Sequence, residues 1–138
     1  MKIFVDANIL ISVVNREYPL YNFTARILSL ANKSPFKLYT SPINLAITFY
    51  FAQKKCSTKQ AKQKIGTINQ YISVTEINSK MVKLALQNKK AEDFEDGLQY
   101  YSALDSQCDC ILTEDLNDYY FSEIEVINSQ DFMMKYLL

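Results

Sequence analysis

The chain has 138 residues, 49% of them hydrophobic, which suits one domain with a real core, so residues 1–138 are read as a single unit. Its 15 Lys and Arg balance 15 Asp and Glu, so the field of the whole protein does not draw in a polyanion, and a nucleic-acid substrate would need a local basic patch. There is no histidine to act as general base or to bind a softer metal, and the only glycines, Gly66 and Gly97, make neither a phosphate-cradling loop nor a dinucleotide fingerprint.

Lys2 to Val5 is short, apolar and β-rich, and predicts a buried strand. A tight turn at Asp6-Ala7-Asn8 then leads into a buried helix that runs to Val14. Pro19 stands near the start of a second helix, in which Phe23, Ile27, Leu30 and Ala31 share a face, ending before Pro35. Phe36 to Thr40 is the second strand. Ser41-Pro42 is an N-cap followed by proline in the first turn, opening a helix through Phe51 that is apolar nearly all round and is therefore expected to be central.

Ser57 caps the next helix, with Ala61, Ile65 and Ile68 on one face, and Tyr71 to Val74 follows as a third strand. Asn78 caps a helix carrying Met81 or Val82, Ala85 and Leu86. From Glu92, the positions Phe94, Leu98, Tyr101 and Leu104 are helical, so Asp93 and Asp96, three apart, share a surface and are expected to converge. Cys110 to Thr113 is a fourth strand, Glu125 to Ile127 a short fifth, and Ser129 to Leu138 a closing helix with Phe132, Met133 and Tyr136 inward. Strands separated by helices predict an α/β fold with a parallel sheet of four to five short strands.

Cys56, Cys108 and Cys110 are odd in number and lack zinc spacing, and the apolar start is too short for a signal peptide, so a reducing cytoplasm is expected and a membrane role is not. Cys108 and Cys110 flank Asp109 at a buried strand and read as packing residues rather than a redox pair.

The informative residues are acids at the ends of apolar runs: Asp6, Asp93, Asp96, Asp115 and Asp118. Carboxylate oxygens suit hard cations such as Mg²⁺ and Mn²⁺, and in open parallel sheets ligands bind beyond the carboxyl ends of strands, where Asp6, Asp115 and Asp118 fall. Taken singly, each has a structural explanation. Asp6 would cap a helix, Asp93 would meet a helix dipole, and Asp115 and Asp118 would serve a turn.

Three stretches in this order and spacing resemble the PIN domain: Phe4-Val5-Asp6-Ala7-Asn8-Ile9-Leu10, Asp93-Phe94-Glu95-Asp96-Gly97-Leu98-Gln99-Tyr100 with Ala103, and Ile111-Leu112-Thr113-Glu114-Asp115-Leu116-Asn117-Asp118-Tyr119. That family consists of small metal-dependent ribonucleases, among them the toxins of VapBC-type toxin–antitoxin pairs. The resemblance implies a PIN-like fold over nearly the whole chain and Mg²⁺ or Mn²⁺ held by Asp6, Asp96 and Asp118, joined by Asp115 and Asp93. It implies that Asn8 and Thr113 orient those acids from behind. It also implies cleavage of RNA to 5′ phosphate and 3′ hydroxyl ends, an antitoxin partner, and a homodimer, for which Tyr18, Tyr21, Phe49 and Phe51 offer apolar segments.

One position departs from the resemblance. Where many of these nucleases present a glutamate, this chain has Ile47, and Asn44 is the nearest polar residue. The alternative reading is therefore a PIN-fold binding or assembly module that has lost efficient catalysis. A phosphatase on an α/β sheet is disfavoured because position 8 is asparagine rather than a second aspartate. For RNA, the one dense basic stretch supplies Lys54, Lys55 and Lys59, followed by Lys62 and Lys64, and Tyr18, Tyr21, Tyr119 and Tyr120 are the candidates for stacking on bases.

Overall fold

Ile3, Phe4 and Val5 have no exposed surface in the computed structural model, which describes residues 1–137. They belong to β1 (Lys2–Val5), the middle strand of a five-stranded sheet. The others are β2 (Lys37–Thr40), β3 (Ser73–Val74), β4 (Cys110–Leu112) and β5 (Glu125–Ile127), in the order β3-β2-β1-β4-β5. All pairings are parallel, with Ile3 beside Leu38 and Cys110, and Phe4 beside Tyr39 and Ile111.

Among the described residues seven α-helices cover the sheet: α1 (Ala7–Val14), α2 (Tyr21–Leu28), α3 (Pro42–Gln53), α4 (Thr58–Tyr71), α5 (Ser79–Gln87), α6 (Phe94–Asp105) and α7 (Ser129–Tyr136). Successive strand residues point to opposite faces and so feed two cores. Ile3, Val5, Leu38, Cys110 and Leu112 pack with Ile9, Leu10, Ile27 and Phe132. Phe4, Tyr39 and Ile111 pack with Tyr100, Ala103, Tyr119 and Phe121. Cys108 and Cys110 lie inside these cores, where burial pushes both thiols up to about 12, as packing residues require.

Helix boundaries depart from expectation where local hydrogen bonding decides them. The second helix begins at Tyr21 rather than near Pro19 and closes at Leu28, leaving Leu30 and Ala31 in turns that still pack on the core. The third strand does not start at Tyr71, because α4 continues through it and the Ile72 N–H still bonds to Ile68 O. The last helix ends at Tyr136, and the expected end at Leu138 lies outside the described residues.

The expectation that α3 is central is wrong. Its buried stripe is Asn44, Thr48 and Ala52, four residues apart, while Tyr50 and Phe51 are 55% and 38% exposed. Small and hydrogen-bonded polar side chains let α3 press on α1 and α4, and Tyr50 and Phe51 are left outside. Among the described residues no helix is long and apolar enough to cross a membrane.

Candidate active site

Asp6, Ser41 and Thr113 each follow one of the sheet's three middle strands, on the edge where the connection from β1 runs to β2 on one side and that from β4 runs to β5 on the other. Open parallel sheets form their ligand crevice at that edge. The Asp6 N–H extends the ladder to Leu112 O at 3.0 Å, and its carboxylate then caps α1, accepting from the Ala7 N–H at 3.0 Å. The second oxygen of Asp6 accepts from Thr113 Oγ1 at 2.9 Å.

Thr113 is the hub of this edge. Its hydroxyl also accepts from Asn8 Nδ2 at 2.9 Å and from the Asp115 N–H at 3.1 Å, which uses its one donor and both lone pairs. Asn8 bridges onward, donating to Asp115 at 3.2 Å and accepting from the Glu114 N–H at 3.0 Å. Two loops distant in sequence, after β1 and after β4, are thereby locked together.

Asn44 supports the site from below. Its Nδ2 donates to Val5 O, the carbonyl preceding Asp6, at 3.2 Å, and its Oδ1 accepts from Gln99 Nε2 at 2.7 Å. Ser41 closes the set by donating to Gln99 Oε1 while its own Oγ accepts from the Asn44 N–H. All three side chains are buried and fully engaged, so Asn44 braces the Asp6 backbone and is not among the residues lining the cleft.

A cleft of about 300 Å³ opens above this network. Five carboxylates line it, Asp6, Glu95, Asp96, Asp115 and Asp118, beside an apolar wall of Ile11, Ile47 and Phe51, with no Lys or Arg in the lining. Asp93 is not in the lining, and the expected convergence with Asp96 takes another form. Asp93 is the N-cap of α6, its Oδ1 accepting from the Asp96 N–H at 2.9 Å. Ile47 lines the cleft, in its apolar wall.

A match to the PIN-domain family model spans residues 2–117. The chain belongs to the PIN-domain family. "Ribonuclease VapC1" of Aquifex aeolicus (strain VF5) is 26% identical over 135 residues, covering 95% of this chain and 92% of that protein. The fold is shared with VapBC2 from Rickettsia felis, solved bound to a DNA fragment from its promoter, at a TM-score of 0.69, 15% identity and coverage of 93% and 98% of the two chains. It is shared also with Mycobacterium tuberculosis VapC20, a sarcin–ricin loop cleaving toxin, at a TM-score of 0.65, 17% identity and coverage of 89% and 98%.

Burial shapes the electrostatics of this PIN domain. Burial pushes Asp6 up to about 6 against the opposing pull of its Thr113 and Ala7 hydrogen bonds, with Asp115 and Asp118 adding repulsion. Asp96 is pushed up to about 7 by burial and then by Asp93, Asp118, Asp6 and Glu95. Asp118 is raised by burial, then by Asp115 and Asp93. Burial leads in all three and neighbouring carboxylates add to it, so the cleft disfavours charge on its own acids. The oxygen-only donor set fits a hard divalent ion. Among the described residues no three acids stand close enough to grip one ion, and Glu95, Asp115 and Asp118 are exposed.

Sequence reasoning missed Glu95 and Gln99, and assigned Tyr119 to the wrong environment. Asp-Phe-Glu-Asp is an acid followed three residues later by another, an N-cap signature, and reading it so would have given Asp93 to the cap and Glu95 to the cleft. Tyr119 is 2% exposed and therefore unavailable for base stacking. Its hydroxyl is buried facing the Asp6 carboxylate without a well-formed hydrogen bond, and burial followed by Asp6, Asp96 and Asp118 keeps it firmly protonated. Tyr18 and Tyr120 are exposed, and Tyr21 is half-buried against Tyr18. Lys54 lies over the Phe51 ring at 5.0 Å, on the rim of the cleft, whereas Lys55 opens on a separate cavity and Lys59 is exposed in the first turn of α4.

Proposed function

We propose that this chain is a divalent-metal-dependent endoribonuclease of the toxin class, restrained by a small antitoxin. The cleft carries the reading: five carboxylates without a lining cation, two of them with pKa values lifted to about 6 and about 7. Similarity supports it, since the Aquifex aeolicus relative is named a ribonuclease, VapC20 is a sarcin–ricin loop cleaving toxin, and the Rickettsia felis neighbour is a VapBC assembly.

Asp6, Asp96 and Asp118 would hold the ion, with Asp115 and Glu95 as further oxygen donors. When bound, Mg²⁺ or Mn²⁺ supplies Lewis acidity at a phosphate and makes a water acidic enough to attack near neutral pH. The protein's part is placement. Thr113 and the Ala7 N–H fix both oxygens of Asp6, while Asn8 holds Asp115, and Asn44 with Gln99 steadies the peptide leading into Asp6.

Asp93 acts indirectly, by fixing the first turn of α6 that carries Glu95 and Asp96. Ile11, Ile47 and Phe51 offer an apolar wall to a ribose or base and limit water on that side. Lys54 at the rim would meet the RNA backbone, whose cleavage would leave 5′ phosphate and 3′ hydroxyl ends. A basic side chain from the antitoxin would complement the cleft in place of the ion. Free Cys56, Cys108 and Cys110 suit a reducing cytoplasm, and the exposed Tyr50, Phe51, Val82, Leu86 and Phe94 support association into a homodimer.

Ile47 favours a second reading, a module that keeps the fold and has lost efficient cleavage. The two readings separate on Mn²⁺-dependent cleavage of a single-stranded RNA panel by antitoxin-free protein beside its Asp6→Asn and Asp96→Asn variants. The nuclease reading expects Mn²⁺ binding and cleavage in the parent and neither in the variants. Absence of both in the parent establishes the module, and equal metal-independent cleavage in all three means contamination.

A further inference from the structure

We propose that a cavity one helical turn beyond the apolar wall of the acidic cleft is an anion subsite that holds an RNA phosphate near the one cleaved. The inference rests on the ribonuclease reading above. The cavity, about 460 Å³, is lined by Val14, Asn15, Arg16, Tyr21, Lys55 and Lys64 among others, and no carboxylate is in its lining. Among the described residues the side-chain ion pairs are Lys80–Asp105 and Lys135–Glu125, so none of its three cations is neutralised by an acid.

Helix ends account for part of this charge only. The carboxyl-terminal turns of α1 and α3 meet here, where Lys64 Nζ donates to Val14 O at 3.1 Å and Asn15 Nδ2 donates to Phe51 O at 3.3 Å. Each helix end contributes roughly half a negative charge, which leaves about two of the three positive charges unmatched. Lys64 is also half-buried, unlike a lysine on a solvated face.

The backbone supplies an independent sign. Arg16 has φ 48°, in the left-handed region. The Arg16 N–H bonds to Val13 O at 3.3 Å and the Glu17 N–H to Ser12 O at 2.9 Å, which is the Schellman ending of a helix. Glycine fills that position without steric strain, and this chain places a long cation there.

The two cavities are in line. Ile11 on α1 and Phe51 on α3 line the acidic cleft; four residues on from each, Asn15, the C-cap of α1, and Lys55, in the turn just past α3, line the basic cavity. Four residues of helix span about 6 Å, so the basic cavity begins about that far beyond the apolar wall of the cleft. A strand with its scissile phosphate at the acids would bring a phosphate about two nucleotides along over Arg16 and Lys55, since α1 runs about 13 Å from its N-cap Asp6 to its C-cap Asn15, and Tyr21 would border that phosphate.

The test measures binding of a short fluorescein-labelled single-stranded RNA by anisotropy, with Ca²⁺ in place of Mn²⁺ to slow cleavage, across a salt series. Arg16→Gln and Lys55→Gln are each expected to lower the slope of log K against log salt by about 0.7, and the double variant by about 1.4. Lys83→Gln, exposed on α5 and in neither lining, is expected to change the slope far less. Arg16→Gly should raise the melting temperature while weakening RNA binding, a split that a purely structural arginine would not produce.

Unchanged slopes in the double variant, or an equal loss in Lys83→Gln, overturn the subsite while parental binding and Mn²⁺-dependent cleavage keep the ribonuclease reading. A parent that neither binds nor cleaves RNA overturns both. Unchanged RNA affinity with lost affinity for polyglutamate overturns the subsite and reassigns the cavity to an acidic protein partner.

Discussion

Metal affinity should collapse on acidification far above the pH at which ordinary carboxylates titrate. Asp6 and Asp96 must both be ionised to bind a cation, and their pKa values are lifted to about 6 and about 7. Competition from protons at Asp6 alone weakens binding by about 10-fold between pH 8 and pH 5, and Asp96 counted in full brings the loss to about 1000-fold. Solvent around half-buried Asp96 screens part of its share, which places the expected loss between these limits. Two carboxylates at the ordinary value of 3.8 would lose almost nothing over the same range. Free Mn²⁺ measured by electron paramagnetic resonance during titrations at pH 8, 7, 6 and 5 reads the effect directly. An affinity that varies by less than about twofold would mean that the ion sits on exposed acids elsewhere and that the cleft is not the metal site.

The same shift makes the metal-free protein less stable at neutral pH. A raised folded pKa gives stability that is fully present below the unfolded value and is lost as pH rises through the folded one, so urea denaturation should show about 2 kcal/mol less stability from Asp6 at pH 7.5 than at pH 4. Saturating Mn²⁺ should restore it, and a flat metal-free profile would contradict the buried charge. Thr113→Val leaves Asp6, Asn8 and the Asp115 N–H without their common partner and is expected to cost about 1–3 kcal/mol in chemical denaturation; a change within about 0.5 kcal/mol, the range of ordinary surface substitutions, would remove Thr113 as the hub. Tyr119→Phe deletes a buried, unpaired hydroxyl and should stabilise the metal-free protein by about 1 kcal/mol. A comparable loss instead would show that the phenol donates to Asp6.

The fold was legible because strand content and punctuation agreed. Lys2 to Val5 and Cys110 to Thr113 are apolar runs closed by acids and polar residues, and the capped helices between strands leave a parallel sheet as the simple solution. What misled was α3. An apolar composition from Ile43 to Phe51 implies burial only if the helix is packed on every side, whereas Asn44 and Thr48 face inward because Val5 O and Gln99 satisfy Asn44 there and Asn44 O satisfies Thr48. Val5 and Gln99 lie far from Asn44 in the chain, so no local pattern announces them.

The acids were legible one by one, but their division of labour was not, and Ile47 shows why that matters. Read along the sequence, Ile47 is the loss of a charge. Read in space, the cleft still holds five carboxylates, because Asp93 caps α6 and its first turn sets Glu95 beside Asp96. If Glu95 supplies the charge absent at position 47, Glu95→Gln should weaken Mn²⁺ binding at pH 8 by about tenfold, the scale of a change of about 1.4 kcal/mol. Ile47→Glu should strengthen binding and, by adding like charge, lower the stability of the metal-free protein. Isothermal titration of the two variants and their double decides the matter: Ile47→Glu rescuing Glu95→Gln means that the carboxylate has moved from one helix to another, while an inert Glu95→Gln means that the site works, if it does, with one charge fewer.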